Sequence, residues 1–444
     1  MPTVYVETYG CQMNVADTDL VIGLLAQAGY ERTQDPAGAD VILINTCAVR
    51  ERAVERVRGR AGALAQHKAG GKRVVLGITG CMAEHLRSEL RESAPYVDLV
   101  VGPDSYRRLP EHIERARQGE VIEDVTLDPH ETYEGIDSSR ALAGGVIGHV
   151  AIQRGCDRFC TFCVVPFTRG RERESAPDEV LRQVRVLVES GVREIQLLGQ
   201  TVNSYHYTND GRDVTFAQLL RQVATVDGVE RVRFISPYPL AFTTDVIAAM
   251  AESPKICKHV HLPLQSGATT VLERMRRGYT YAEFQALVAA LRTAMPDIAI
   301  TTDFLVGFCG ETDAEFDETY RALAEIRFDN AFLFAYSERK GTLAARKIPD
   351  DVPADVKQRR LAHVIEEQRK ITAEIYASQV GRRERVLCES LSRRTASEML
   401  GRTDTFRPVI VTGGGAVGQL LDLVIDRAGP GTLYGSPLPK ENAR

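Results

Sequence analysis

The chain lacks any apolar run approaching the roughly 18 residues needed to cross a bilayer, so no membrane span is expected. Its opening stretch, MPTVYVETYG, lacks the basic and apolar regions of a secretory signal. A cytoplasmic location follows as the expectation, and in that reducing compartment clustered cysteines point to metal or redox chemistry rather than disulfides. The nine cysteines are also an odd number, which fits badly with a full disulfide framework. A strong overall charge is missing too. The net charge is −5, so the chain as a whole is no polycation. Residues 380–444 run against that balance, with ten Lys or Arg and seven Asp or Glu. This basic end is compatible with a polyanionic partner and equally with a solvated face. At 444 residues the chain is too long for one compact core, and several domains are expected.

What is present first is alternation. Apolar strands TVYVETYG, ADVILINTC, RVVLGITGC and YVDLVVG are separated by helix-forming stretches, the pattern of a parallel α/β sheet. Cys11, Cys47 and Cys81 each follow the C-terminal end of a strand. Those ends share one sheet edge, where ligands bind, so the three cysteines should converge. Each alone could be a buried hydrophobe; three at equivalent positions favour a metal. A polar segment around 119–141 reads as a linker. From about 142 to 377 six further strand-helix units suit a partial (β/α)6 barrel with its site at the strand C-terminal ends. A long charged helix leads to residues 378–444, whose short strands and Gly-rich turns read as a small all-β barrel. The domains are thus expected at 1–118, 142–377 and 378–444.

The stretch GCDRFCTFC places Cys156, Cys160 and Cys163 in one loop after the first barrel strand. A structural zinc needs four ligands, yet none of residues 164–203 is Cys or His. Three thiolates can instead hold a [4Fe-4S] cube and leave one iron without a protein ligand. Gly199, Gln200 and Asn203 follow one strand and Gln265 and Ser266 another; either set could touch a cofactor or form a plain turn. Arg169, Arg171 and Arg173 could grip phosphate or line a solvated loop. Cys257, Cys309 and Cys388 have no ligand spacing and read as core.

The C-x3-C-x2-C loop on a partial barrel resembles the radical S-adenosylmethionine enzymes. YGCQMN, NTCAVRE, GCMAE, GCDRFCTFCVVPFTRGRERE, LLGQTVNSY and HLPLQSG together resemble their methylthiotransferases, in the branch acting on prenylated adenosine of tRNA. The resemblance covers nearly the whole chain and makes the C-terminal barrel a TRAM-like RNA-binding domain. It implies two [4Fe-4S] clusters, one on Cys156, Cys160 and Cys163 and an auxiliary one on Cys11, Cys47 and Cys81. It implies S-adenosylmethionine, with Phe162 packing by its adenine, used both as methyl donor and as source of a 5′-deoxyadenosyl radical. The implied reaction adds a methylthio group to C2 of N(6)-dimethylallyladenosine at position 37 of tRNA. The implied partners are a tRNA anticodon stem-loop, an electron donor such as a flavodoxin or ferredoxin, and a sulfur source. A monomer is expected. Threonylcarbamoyl-adenosine tRNA or a ribosomal protein is the alternative substrate, and a metal-containing RNA-binding protein the non-enzymatic alternative. Tyr238, Cys309 and Glu338–Lys340 stand where relatives usually carry other residues, which bears on loop rigidity and substrate contacts.

Overall fold

A computed structural model of the chain describes all residues except 49–50, 69–72, 139–144, 210, 396 and 439–444, and the side chains of 51–54. The N-terminal sheet is wholly parallel. Its six strands run in the spatial order Glu31–Arg32, Thr3–Tyr9, Val41–Thr46, Val75–Gly80, Leu99–Val101, Ile122–Asp124. Val41–Thr46 and Val75–Gly80 are buried along their whole length, as a central parallel strand covered on both faces must be. Register brings Tyr9, Thr46 and Gly80 side by side. The next residues along the chain are then Cys47 and Cys81, with Cys11 one step further.

The polar stretch expected as a linker is instead largely part of this domain. Ile122–Asp124 supplies the sixth strand, Tyr133 and Ile136 enter the core, and the Tyr133 hydroxyl donates to the Pro103 carbonyl at 2.7 Å. Polarity hid the segment because its anchors are single residues spaced widely apart.

Six parallel strands then build the expected partial barrel. Ile147–Ala151, Glu194–Leu198 and Arg231–Ile235 form one half, and His259–His261, Ala299–Val306 and Asn330–Ala335 the other. A bridge between Val232 and Ile256 joins them. The outer helices Phe216–Thr225, Thr244–Glu252, Tyr281–Ala294 and Asp313–Ile326 start on threonine N-caps. Thr280 with Glu283, and Thr312 with Glu315, form reciprocal capping boxes that satisfy the free N–H groups of the first turn. Helix Ala354–Ala377 returns along the last strand to the opposite end of the barrel.

There the C-terminal domain closes as the expected small barrel, of five strands. It seals the N-terminal end of the central strands. Arg233 donates to Glu194 Oε1 at 3.0 Å and to the Asp404 carbonyl at 3.1 Å. Arg231 reaches the Arg402 carbonyl at 2.8 Å, Arg407 pairs with Asp329, and His259 stacks on Phe406 with ring centroids 4.9 Å apart. The two small domains therefore cap opposite ends of the central barrel.

Candidate active site

At the strand C-terminal end, Cys156, Cys160 and Cys163 line a cavity of about 270 Å³ together with Cys11, Gln12 and Met13 of the N-terminal domain. The loop that carries the three cysteines is drawn tight. Gly155 has φ +80°, and a Cβ there would lie 1.9 Å from the Arg171 carbonyl oxygen, so no larger residue fits. Cys156 N–H donates to the Gly170 carbonyl at 3.1 Å and Cys163 N–H to the Cys160 carbonyl at 3.0 Å. The backbone N–H of Val165 points at Cys163 Sγ, 3.4 Å away. Arg277, nearly buried, donates from Nη1 to Cys160 Sγ at 3.3 Å. Burial pushes the Cys156 thiol up to about 11 and the Cys163 thiol up to about 12.

The second set forms as the strand ends require. Cys11 is the N-cap residue of helix Gln12–Gln27, and Cys81 opens helix Cys81–Leu86. A hydrogen bond with Cys47, helped by the Arg169 charge, lowers the Cys11 thiol to about 6. Burial raises the Cys81 thiol, opposed by Arg169, whose Nε donates to Cys81 Sγ at 3.1 Å. Among the described residues no three Cys, His, Asp or Glu side chains close on one ion-sized point. A cube does not ask for that, because each thiolate binds a different iron. The donor chemistry fits such a group at both places: three thiols each, beside a buried guanidinium. At the second place two polar atoms, Arg169 Nη1 and Tyr106 Oη, are buried without a protein partner.

Of the other residues singled out from sequence, Phe162, Gly199, Gln200 and Gln265 line the shared cavity. Gln200 Oε1 is buried there without a protein partner. Asn203 and Ser266 lie behind the wall. Asn203 clamps the Tyr238 backbone through two hydrogen bonds of 2.7 and 3.0 Å, and Ser266 bonds Thr319 at 3.0 Å. The arginine cluster divides. Arg169 and Arg173 are buried and spent on Asp17, Cys81 and Asp104, which removes them from phosphate; Arg171 alone is exposed. Cys257, Cys309 and Cys388 are buried core residues. Arg277 and Met13 were not singled out, because nothing in RMRRGY marks an arginine that folds back onto a cysteine 117 residues earlier, and nothing in GCQMN a methionine that becomes a cavity wall only after two domains meet. Tyr238, noted only as a departure, is a wall too, and carries the Arg158 guanidinium 4.5 Å above its ring.

This fold and these cysteine sets define a radical S-adenosylmethionine enzyme. The Radical SAM superfamily model matches residues 150–323, and the Uncharacterized protein family UPF0004 model matches residues 3–102. The fold is similar to that of TsrM, a radical S-adenosylmethionine methyltransferase from Kitasatospora setae, with a TM-score of 0.57, 14% identity, and coverage of 78% of this chain and 77% of that one. The tRNA-2-methylthio-N(6)-dimethylallyladenosine synthase of Pelodictyon phaeoclathratiforme is 43% identical over 98% of each chain. The enzyme of the same name from Porphyromonas gingivalis is 43% identical over 97% of this chain and 94% of its own. The chain belongs to the tRNA-2-methylthio-N(6)-dimethylallyladenosine synthase family.

Proposed function

We propose that this enzyme transfers a methylthio group to C2 of N(6)-dimethylallyladenosine at position 37 of tRNA, next to the anticodon. One observation carries the reading: Cys11 of the scattered set lines the same cavity as all three cysteines of the loop set. The C2–H of an adenine has no acidic proton at neutral pH, so side-chain acid-base catalysis cannot activate it. When bound, the two [4Fe-4S] clusters and S-adenosylmethionine supply the radical, the sulfur and the methyl group. Cys156, Cys160 and Cys163 would hold one cluster, and Cys11, Cys47 and Cys81 the other.

The chain's own residues bind, orient and exclude water. Arg277 holds the Cys160 sulfur and is itself held by Tyr279 at 3.0 Å. Phe162, Gly199, Gln200 and Gln265 offer the cofactor one aromatic face, one close backbone approach and two amides. Met13, packed on Leu198 and Ile235, gives the same cavity an apolar wall beside Cys11. A five-carbon dimethylallyl group buried there would contribute up to a few kcal/mol, at about 0.8 kcal/mol per CH2. A threonylcarbamoyl group would bring a carboxylate to that wall with no partner. Loop bases unstack at low cost, so an anticodon-loop adenine can enter. Its partners are then a tRNA anticodon stem-loop, a sulfur source and an electron donor of the flavodoxin or ferredoxin kind. No helix among the described residues is long and apolar enough to cross a membrane, which accords with a cytoplasmic enzyme.

The test compares prenylated, unprenylated and threonylcarbamoylated stem-loops with anaerobically reconstituted enzyme, with products read by mass spectrometry. Only the prenylated loop should be thiomethylated efficiently. Equal rates on the other two would overturn the substrate assignment and leave the chemistry standing.

A further inference from the structure

Where the N-terminal domain meets the barrel, three buried charges share one seam. Asp17 of helix Gln12–Gln27 is fully buried. It accepts from Arg169 Nη2 at 2.6 Å and from Arg154 Nη1 at 3.0 Å. Both arginines come from the barrel domain, so the carboxylate of one domain is gripped by two guanidiniums of the other. Arg154 also lies over the Tyr133 ring, 4.8 Å from its centroid. Asp104 does not redress the balance, since it is taken by Arg173. Two guanidiniums and one carboxylate leave the seam one positive charge in excess. Buried charge without a partner is costly.

The surplus has a direction. Arg169 donates from Nε to Cys81 Sγ at 3.1 Å, and its Nη1 is buried with no protein acceptor. A cube in its oxidised state, held by three thiolates, carries one negative charge. That charge matches the surplus of the seam, and the sulfurs of such a cube are acceptors for a spare N–H.

We propose that Arg169 is a positioning residue for the auxiliary cluster: fixed by Asp17, it donates to the Cys81 thiolate and supplies the positive charge against which that cluster is held and reduced. The proposal rests on Cys11, Cys47 and Cys81 holding a cluster, and not on what tRNA is modified. Arg169 lies six residues beyond Cys163, on the segment that continues the other cysteine loop. One side chain thus ties the charge of one metal site to the backbone that shapes the other. A phosphate-binding arginine would sit at the surface; this one is sealed in.

The experiment isolates the auxiliary cluster in the full chain by replacing Cys156, Cys160 and Cys163 with alanine, which leaves about four iron atoms per chain. In that background Arg169→Gln, Arg169→Lys and Arg115→Gln are reconstituted anaerobically and titrated by EPR against solution potential. Arg115 is an exposed arginine of the N-terminal domain, which carries Cys11, Cys47 and Cys81, and is paired with Glu120. Hydrogen bonds and positive charge near cluster sulfurs favour the reduced state. Arg169→Gln should therefore move the midpoint to more negative potential, Arg169→Lys should move it less, and Arg115→Gln should not move it. Loss of iron in Arg169→Gln, restored by Arg169→Lys, also supports the proposal. An unchanged midpoint in Arg169→Gln at full iron content overturns it. If Arg169→Gln does not fold, Arg169→Lys decides alone: a midpoint and line shape identical to the parent's overturn it. None of these readings uses tRNA, so failure of the substrate assignment would leave them untouched.

Discussion

The two cysteine sets are assembled by opposite routes, and the cavity lined by the loop set is reached by Cys11 of the scattered set. Cys156, Cys160 and Cys163 are neighbours in sequence, and their spacing is imposed by one short loop. Cys11, Cys47 and Cys81 are far apart in sequence and meet only because three parallel strands end in register. The first set depends on local backbone geometry, the second on a whole sheet and on the seam between two domains. In both, a buried arginine from a distant part of the chain donates to one sulfur: Arg277 to Cys160 and Arg169 to Cys81. Thiolate charge brought into an interior needs a fixed donor, however the ligands are assembled.

The largest expected effect separates the sets by function. Cys160→Ala should abolish reductive cleavage of S-adenosylmethionine, since a cube left with two thiolates is lost or misligated. Cys47→Ala should leave 5′-deoxyadenosine formation but yield no thiomethylated RNA. Chromatographic assay of both products checks this. Equal loss of both in Cys47→Ala, with the barrel cluster intact by EPR, would show that the two sets do not have separate roles.

Next come the glycines that precede one cysteine of each set. Gly155 and Gly80 both have positive φ, which strains any other residue by about 1–3 kcal/mol. An added Cβ would lie 1.9 Å from the Arg171 carbonyl oxygen at Gly155, and 2.4 Å from Asn45 Oδ1 and 2.6 Å from the Thr46 carbonyl oxygen at Gly80. Gly155→Ala should therefore cost the barrel cluster and spare the auxiliary one. Gly80→Ala should do the reverse, somewhat more mildly, because its nearest backbone contact is 2.6 Å rather than 1.9 Å. Iron content and EPR of each variant decide it; loss of both clusters in either would mean that the sets are not built independently.

Much of this was legible. Strand-helix alternation placed the three scattered cysteines on one edge, because parallel strands covered on both faces announce themselves as unbroken apolar runs. The loop motif was legible because its spacing is local. Arg169 reads from sequence as a phosphate grip or a solvated loop residue because a sequence shows charge and not burial, and its partner Asp17 lies 152 residues away. The place of the C-terminal barrel was not legible either. Its docking rests on single contacts such as Arg407 with Asp329, which leave no periodic trace.

That docking gives the third prediction, at the end of the barrel far from the cysteines. Arg407 and Asp329 are both buried, with Arg407 Nε 3.1 Å from Asp329 Oδ1. Arg407→Ala leaves that buried carboxylate without its charged partner, held by the Ile300 N–H at 3.1 Å, and breaking such a pair typically costs about 3–5 kcal/mol. The unfolding midpoint of the chain should fall while the iron bound per chain at low temperature stays unchanged. A cluster loss as large as that in Gly155→Ala would mean that the two ends of the barrel are not separable. Removal of the whole C-terminal domain would expose the same charges, so a loss of tRNA binding after truncation would not by itself assign the RNA contact to that domain.

The smallest effect belongs to the one arginine of the 169–173 cluster that remains at the surface. Arg171 is two-thirds exposed, pairs with Asp157 at 2.6 Å, and lies 5.4 Å over the exposed Phe159 ring at the outer face of the cysteine loop. An exposed ion pair contributes at most about 1 kcal/mol, so a phosphate can displace Asp157 at little cost. Arg171→Gln should weaken binding of the anticodon stem-loop only a few-fold at moderate salt. The slope of log affinity against log salt should become shallower by about one, the signature of a single lost phosphate contact. Asp157→Asn should act in the opposite sense, because it removes the competing carboxylate and leaves the guanidinium free. Both clusters should survive in either variant. Fluorescence anisotropy with a labelled stem-loop at a series of salt concentrations reads both slopes. Identical slopes in Arg171→Gln and the parent would take this loop out of the RNA interface and leave it to the metal alone.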